Sequence, residues 1–318
     1  MEALEVLQPG AFTTIQDLGR YGYQKYGVSV SGAMDRFALR VANLLVGNEE
    51  GAAAVEATVA GPKIKALQKI WVAICGADLS PAINGNPAAM WRTLQIQAGD
   101  LISFGPPKSG CRAYLAIAGG IDTPLVMGSR SIHTRSHLGG KGRALSKGDI
   151  LSVSDCGKKQ AEQSPYYRLP EGRIPVYGRE WWVRVILGPQ SNYFTRRGIV
   201  TFLSQEYRIT PQADRMGYRL QGPKIEHKAG ADILTDATPP GSIQVPGDGM
   251  PIILLADGQT TGGYSKIGVV ASVDQDLLAQ AKPGDSVRFE RITIREAHAL
   301  LAEQGKSMQA IAKEFVLV

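Results

Sequence analysis

Short apolar runs of strand length alternate with glycine- and proline-marked turns along almost the whole chain. Runs at 4–7, 56–60, 70–75, 91–97, 101–104, 112–118, 182–187, 251–256 and 286–291 each read as a strand. Pro9-Gly10, Gly76-Ala77-Asp78 and Gly119-Gly120 end three of them, and Asn84-Gly85 is the dipeptide of a tight hairpin turn. Residues 13–20 read as a polar, turn-rich segment leading to Tyr21, Tyr23 and Tyr26. Two helices stand out. Asp35 caps the first, which carries Phe37, Leu39, Val41, Ala42, Leu44 and Leu45 and stops at Gly47-Asn48. Thr293 caps the second, an amphipathic C-terminal helix bearing Ala297, Leu300, Leu301, Met308, Ile311 and Ala312, with Gly305 as its weak point. The expected fold is mainly β with few helices.

One stretch gathers more chemistry than the rest: IQVPGDGMPIILLADGQTTGGYSKI, residues 243–267. It places Gln244, Asp248, Asp257, Gln259, Thr260 and Thr261 around the apolar run 251–256. Val245-Pro246-Gly247-Asp248-Gly249 is turn chemistry, and Gly262-Gly263 lets backbone approach a ligand closely. Paired carboxylates, carboxamides and hydroxyls at strand ends suit an amide or a carboxylate. The same residues also read as two hairpin turns capped by Asp.

The 318 residues suffice for two domains with separate cores. Gly61-Pro62-Lys63-Ile64 recurs as Gly222-Pro223-Lys224-Ile225, a hint of duplicated β-domains. The segment 157–180, with Lys158-Lys159, several prolines and no periodicity, is the expected linker. It divides an N-terminal domain (1–156) from a second domain (181–292) followed by the C-terminal helix and tail (293–318).

A net charge of +6 without a basic run gives no stripe for nucleic acid, while leaving attraction to small anions. Cys75, Cys111 and Cys156 are odd in number and widely spaced, so neither a disulfide framework nor a metal site is expected. His133 and His137 read as an exposed loop pair. The glycine-rich, basic segment 129–147 lacks P-loop spacing. It reads as a mobile surface loop in which Arg130, Arg135, Lys141 and Arg143 offer a weaker alternative, closing over an anion. No signal-peptide pattern and no membrane-length apolar run is present, which fits a cytoplasmic protein away from membranes.

Long motifs then narrow the reading: PGAFTTIQDLGRYGYQKYGVSVSGAMD (9–35), ALRVANLLVGNEEGAAAVEATVAGP (38–62), YLAIAGGID (114–122), DRMGYRL (214–220), IQVPGDGMP (243–251) and DGQTTGGYSKI (257–267). Together they resemble the biotin-dependent carboxyltransferase family, also called the allophanate hydrolase subunit 2 or KipA-like family. The resemblance implies two tandem cyclophilin-like β-barrel domains and a smaller, KipI-like partner subunit that is itself cyclophilin-like. Three activities attach to such pairs. One is ATP-dependent 5-oxoprolinase, which opens the lactam of 5-oxoproline to glutamate with a third subunit. Another is carboxyl transfer from carboxybiotin to urea. The last is regulation, by antagonising an inhibitor of a kinase. The sequence holds no biotin-carrier or biotin carboxylase segment, so it resembles the 5-oxoprolinase subunit more closely, inactive alone. ATP with Mg²⁺ is then expected in the complex, and no biotin on this chain.

On that resemblance the expected catalytic residues are Asp257, Gln259 and Arg215. Arg215 suits a fork to a carboxylate or phosphate, and reads equally as a salt-bridge partner of Asp214 or another acid. Asp257 can accept from a lactam N–H or hold Mg²⁺. Gln244, Thr260, Thr261, Gly262 and Gly263 are the expected substrate-binding groups. Asp17, Arg20 and Asp35 lie in long family motifs and can equally knit the N-terminal segment to the core.

Overall fold

The computed structural model describes residues 1–154 and 166–317. They form two units: Met1–Arg20, Ser31–Tyr177 and Ser307–Val318 make one, Tyr21–Val30 and Gly178–Lys306 the other. The division near Tyr177 lies within 157–180, of which 157–165, with Lys158-Lys159, lies outside the described residues, as does Cys156.

The first unit carries β1 (Glu2–Gln8), β2 (Phe12–Gln16), β3 (Ala54–Thr58), β4 (Lys63–Ala66), β5 (Ile70–Asp78), β6 (Ala82–Ile83), β7 (Asn86–Pro87), β8 (Thr93–Ile96), β9 (Leu101–Ser103), β10 (Ser109–Ile117), β11 (Ile150–Ser152) and β12 (Tyr167–Arg168). One sheet runs β11-β1-β4-β9-β6-β7, the other β2-β3-β10-β5-β8. Leu4, Val6, Ile64 and Ile102 of the first share a core with Ile15, Val55, Val72, Ile74, Leu115 and Ile117 of the second. Successive side chains on a strand point to opposite faces. Trp71, Ala73 and Cys75 therefore face the other way, onto Leu39, Val41, Ala42 and Leu45 of the helix Arg36–Leu45. Asp35 caps that helix through Ala38 N–H, at 2.8 Å, a contact that stabilises a helix end by about 1 kcal/mol.

The second unit carries β13 (Glu180–Leu187), β14 (Tyr207–Ala213), β15 (Gly217–Gln221), β16 (Asp232–Ala237), β17 (Ser242–Gln244), β18 (Ile252–Leu254), β19 (Thr261–Tyr264), β20 (Lys266–Val270) and β21 (Ser286–Arg291). Seven of these close a barrel in the order β13-β20-β17-β18-β15-β14-β21, while β16 and β19 form a separate ribbon. The strand β22 (Val316–Leu317) belongs to the first unit, where it pairs with β12. The C-terminal helix Ile294–Glu314 starts as expected: Thr293 Oγ1 accepts from Glu296 N–H, and the Glu296 carboxylate accepts from Thr293 N–H at 2.7 Å, a capping box. The fold is mainly β with few helices.

Two local expectations change. Within 13–20, the first residues belong to the strand Phe12–Gln16, because Thr13 and Thr14 are β-branched and buried against β3. Gly76 does not end its strand; β5 runs on to Asp78, and the register against β10 shifts there. Gly76 has φ +87°, and a Cβ at that position would sit 2.4 Å from Arg112 O. Gly76→Ala should therefore destabilise the first unit by about 2 kcal/mol, read as a lower chemical-denaturation midpoint.

Candidate functional site

The turn after β18 and the turn between β14 and β15 meet through one ion pair. Asp257 N–H donates to Arg215 O at 2.9 Å. The Arg215 side chain returns two prongs, Nε to Asp257 Oδ2 at 2.8 Å and Nη2 to Oδ1 at 2.9 Å. Both side chains are buried. The neighbouring Asp214 carboxylate accepts from Met216 and Gly217 N–H in its own turn. Both oxygens of Asp257 thus serve Arg215, so this pair braces the two turns, and the fork expected for a ligand is spent within the chain.

The two carboxamides do meet. Gln259 Nε2 points to Gln244 Oε1 at 3.4 Å, and Gln244 Nε2 to Tyr264 O at 3.5 Å. Both contacts are long, so each amide has hydrogen-bonding capacity to spare. Gln244 is buried and Gln259 exposed. Thr238 holds the turn, its Oγ1 donating to Gln259 O at 2.6 Å and its N–H to Thr260 O at 2.9 Å. Thr261 and Gly262 lie on the β16–β19 ribbon opposite Ala237 and Asp236. Gly262 is required by space: a Cβ there would stand 2.5 Å from Gln244 Nε2. Gly263 has room, with Ile233 O at 3.6 Å as its nearest neighbour. Asp248 is a turn residue accepting from Met250 N–H.

Sequence reasoning missed three side chains here. Lys266 is the strand partner of Gln244 across β17 and β20, which sets the two on one face. Its Nζ donates to Asp236 Oδ2 at 2.7 Å, and Gln190 Nε2 reaches the same oxygen at 3.1 Å. Lys266 beside it, with Ala237 N–H and Gln190, holds the Asp236 carboxyl below its ordinary range. A lysine in the middle of the apolar-to-polar passage Tyr264–Ile267 was the available signal. Contacts 30 and 46 residues apart in sequence leave no further trace that periodicity detects.

The strand end holding Gln244 is fixed from behind. Val245 N–H donates to Ser265 O at 3.1 Å, and Val245 O accepts from His227 Nε2 at 3.0 Å. Burial, reinforced by Lys224, pushes the His227 imidazole below its usual value.

In the first unit the motif acids are structural. Asp17 accepts from Gly19 N–H, Ser129 Oγ, Ser131 Oγ and Arg130 N–H, and Arg20 donates to Ser131 O. Glu56 accepts from Tyr114 Oη at 2.8 Å and from Met34 N–H at 3.0 Å. Burial first, then the Glu56 charge, pushes the Tyr114 hydroxyl well up. In the loop 129–147, Lys141 and Arg143 both bind Asp149, and Arg143 foremost holds that carboxyl well below its usual range. Arg130 pairs with Asp122 at 2.9 Å. These basic groups are engaged within the chain, which accounts for the loop better than an anion cradle does. His133 is buried and accepts from Ser136 N–H, so only His137 is exposed. Cys75 and Cys111 are buried. Among the described residues no helix is long and apolar enough to cross a membrane.

This geometry sets two expected outcomes. Arg215→Met or Asp257→Leu alone removes one half of a buried two-pronged pair and should cost about 3–5 kcal/mol, while the double variant should recover most of it. A double-mutant cycle in urea measures this. His227, neutral when folded, binds a proton more readily unfolded, so its contribution is intact above about pH 6.5 and declines as pH falls below it. Melting points of wild type and His227→Gln should diverge at pH 7 and converge towards pH 5.

Similarity to known proteins covers nearly the whole chain. It is 34% identical over 310 residues to a 5-oxoprolinase subunit of Escherichia coli, covering 97% of each protein. It is 36% identical to the 5-oxoprolinase subunit of the same designation in Haemophilus influenzae, covering 93% and 94%. The solved structure of the K. lactis urea amidolyase superposes with a TM-score of 0.90 at 33% identity, over 97% of this chain and 20% of that one. The K. lactis urea carboxylase gives 0.89, over 97% and 29%. Residues 26–291 match the family described as carboxyltransferase domain, subdomain A and B. The chain belongs to that carboxyltransferase domain family.

Proposed function

We propose that this chain is a subunit of an ATP-dependent 5-oxoprolinase, opening the lactam of 5-oxo-L-proline to L-glutamate together with partner subunits. The observation that carries the reading is the Gln244–Gln259 pair, two carboxamides meeting beside the barrel with spare donors and acceptors. A carboxamide presents one donor edge and one acceptor edge, and so does a lactam. Held in fixed geometry, such a pair orients the scissile N–C=O unit and supplies a donor to charge developing on its oxygen. The relatives from E. coli and H. influenzae, similar over nearly the whole chain, support the same choice. Their designation as a subunit supports working within an assembly. A smaller cyclophilin-like, KipI-like subunit and a third subunit are the partners in this proposal, and the cytoplasm is its setting.

Mg²⁺ and ATP supply the driving force in this reading. Among the described residues no group of three His, Cys, Asp or Glu side chains is placed to hold a metal ion. Lys141 and Arg143 are engaged by Asp149. In this proposal the chain's own part is to recognise and orient the amide, with ATP and Mg²⁺ acting in the assembled complex.

The overlay on the K. lactis urea carboxylase favours a second reading, carboxyl transfer from carboxybiotin to urea or another amide. Urea carries the same N–C=O unit, so Gln244 and Gln259 serve either substrate.

The test is ATP hydrolysis by the chain assembled with its partners, with 5-oxoproline and then with urea. Turnover should require 5-oxoproline, and Gln259→Ala should lower it by about tenfold or more while the assembly stays intact. Stimulation by neither amide, with a stable complex in hand, contradicts the enzyme reading and leaves a KipA-like regulator of its partner.

A further inference from the structure

Lys266 is a buried cation with an exposed countercharge. Its side chain is 4% exposed, whereas that of Asp236 is 47% exposed. A buried ammonium requires a partner at all times. Yet this partner stands on the β16–β19 ribbon, which among the described residues pairs with no third strand and whose register shifts between Asp232 and Asp236. Two donors from outside the ribbon, Lys266 Nζ at 2.7 Å and Gln190 Nε2 at 3.1 Å, converge on one Asp236 oxygen. They form a receptor shaped for a carboxylate. Gln190 Oε1, beside them, is buried with no hydrogen-bond partner among the described residues. Gln244 lies directly across the ladder from Lys266 and meets Gln259. A cation, a spare acceptor and two carboxamides therefore occupy one continuous patch of the second unit.

We propose that Lys266 and Gln190 form the carboxylate subsite of this site, filled in the structure by Asp236 of the chain itself. Its ligand is a small carboxylic acid bearing an amide or lactam, with the amide on Gln244 and Gln259. The proposal rests on the amide-recognition reading and narrows its substrate class, because urea has an amide but no carboxylate. An incoming carboxylate replaces Asp236 one for one, so Lys266 is never left without a counterion. Asp236 is then a positioning residue: it keeps the receptor assembled and competes with the ligand.

Calorimetric titration of the full chain with 5-oxoproline and with 2-pyrrolidinone, the same lactam without its carboxylate, tests this. Wild type should bind 5-oxoproline about tenfold or more tightly than 2-pyrrolidinone. Lys266→Met should erase the difference. Asp236→Asn removes the competing charge and leaves Lys266 without its counterion in the unliganded chain, so it should lower the ligand-free melting point and tighten 5-oxoproline binding several-fold while leaving 2-pyrrolidinone unchanged. If Lys266→Met does not fold, Asp236→Asn and Gln190→Leu carry the test, the latter weakening 5-oxoproline alone. Equal binding of the two compounds by wild type and Asp236→Asn, or binding of neither, overturns the subsite. Failure of the 5-oxoprolinase reading looks different: the assembled complex hydrolyses ATP no faster with 5-oxoproline, while the carboxylate preference of the chain persists.

Discussion

The parallel ladder between Glu180–Leu187 and Ser286–Arg291 closes the barrel of the second unit, and everything at the candidate site depends on that closure. A closed sheet has no free edge, and its register cannot slip at one strand without shifting the others. Asp285, buried just before the closing strand, accepts from Trp181 Nε1 at 3.2 Å and from Lys282 N–H at 3.1 Å. These contacts tie the two closing strands at their start. Opposition of Gln244 and Lys266 in the β17–β20 ladder is then a consequence of barrel geometry.

Two buried cations of this unit are treated in contrasting ways. Arg215 faces a carboxylate as buried as itself, in a two-pronged pair between adjacent turns. Such a pair resists exchange, because both of its charges are buried and breaking it forfeits two charge-assisted hydrogen bonds. Lys266 has a single-point contact with a half-exposed carboxylate on a two-stranded ribbon. Both pairs satisfy electroneutrality, but of the two only the second presents its carboxylate to solvent. That difference is why the proposed recognition site is centred on Lys266, Gln244 and Gln259, while Arg215 and Asp257 join two turns.

Much of the fold was legible in the sequence for local reasons. Strand runs such as 70–75 and 286–291, the hairpin at Asn84-Gly85 and the caps at Asp35 and Thr293 all rest on interactions within a few residues. Thr13 to Gln16 was misread because polar residues normally mark a surface turn, whereas here burial against β3 overrides that tendency. At Gly262, expected to bring backbone close to a ligand, the close neighbour in the structure is the Gln244 side chain of the same unit. The Gln190–Asp236–Lys266 cluster was illegible, since three loops and strands far apart in sequence supply it. Nothing in a single chain's periodicity says that a lysine following Tyr264-Ser265 turns inward.

The account's central claim is that amide and carboxylate recognition occur on one patch of the second unit. A crystal structure of the full chain soaked with 5-oxoproline tests it most directly. The account predicts the lactam against Gln244 and Gln259, its carboxylate on Lys266 and Gln190, and Asp236 turned away. Ligand bound elsewhere, with the Asp236–Lys266 pair undisturbed, would contradict it.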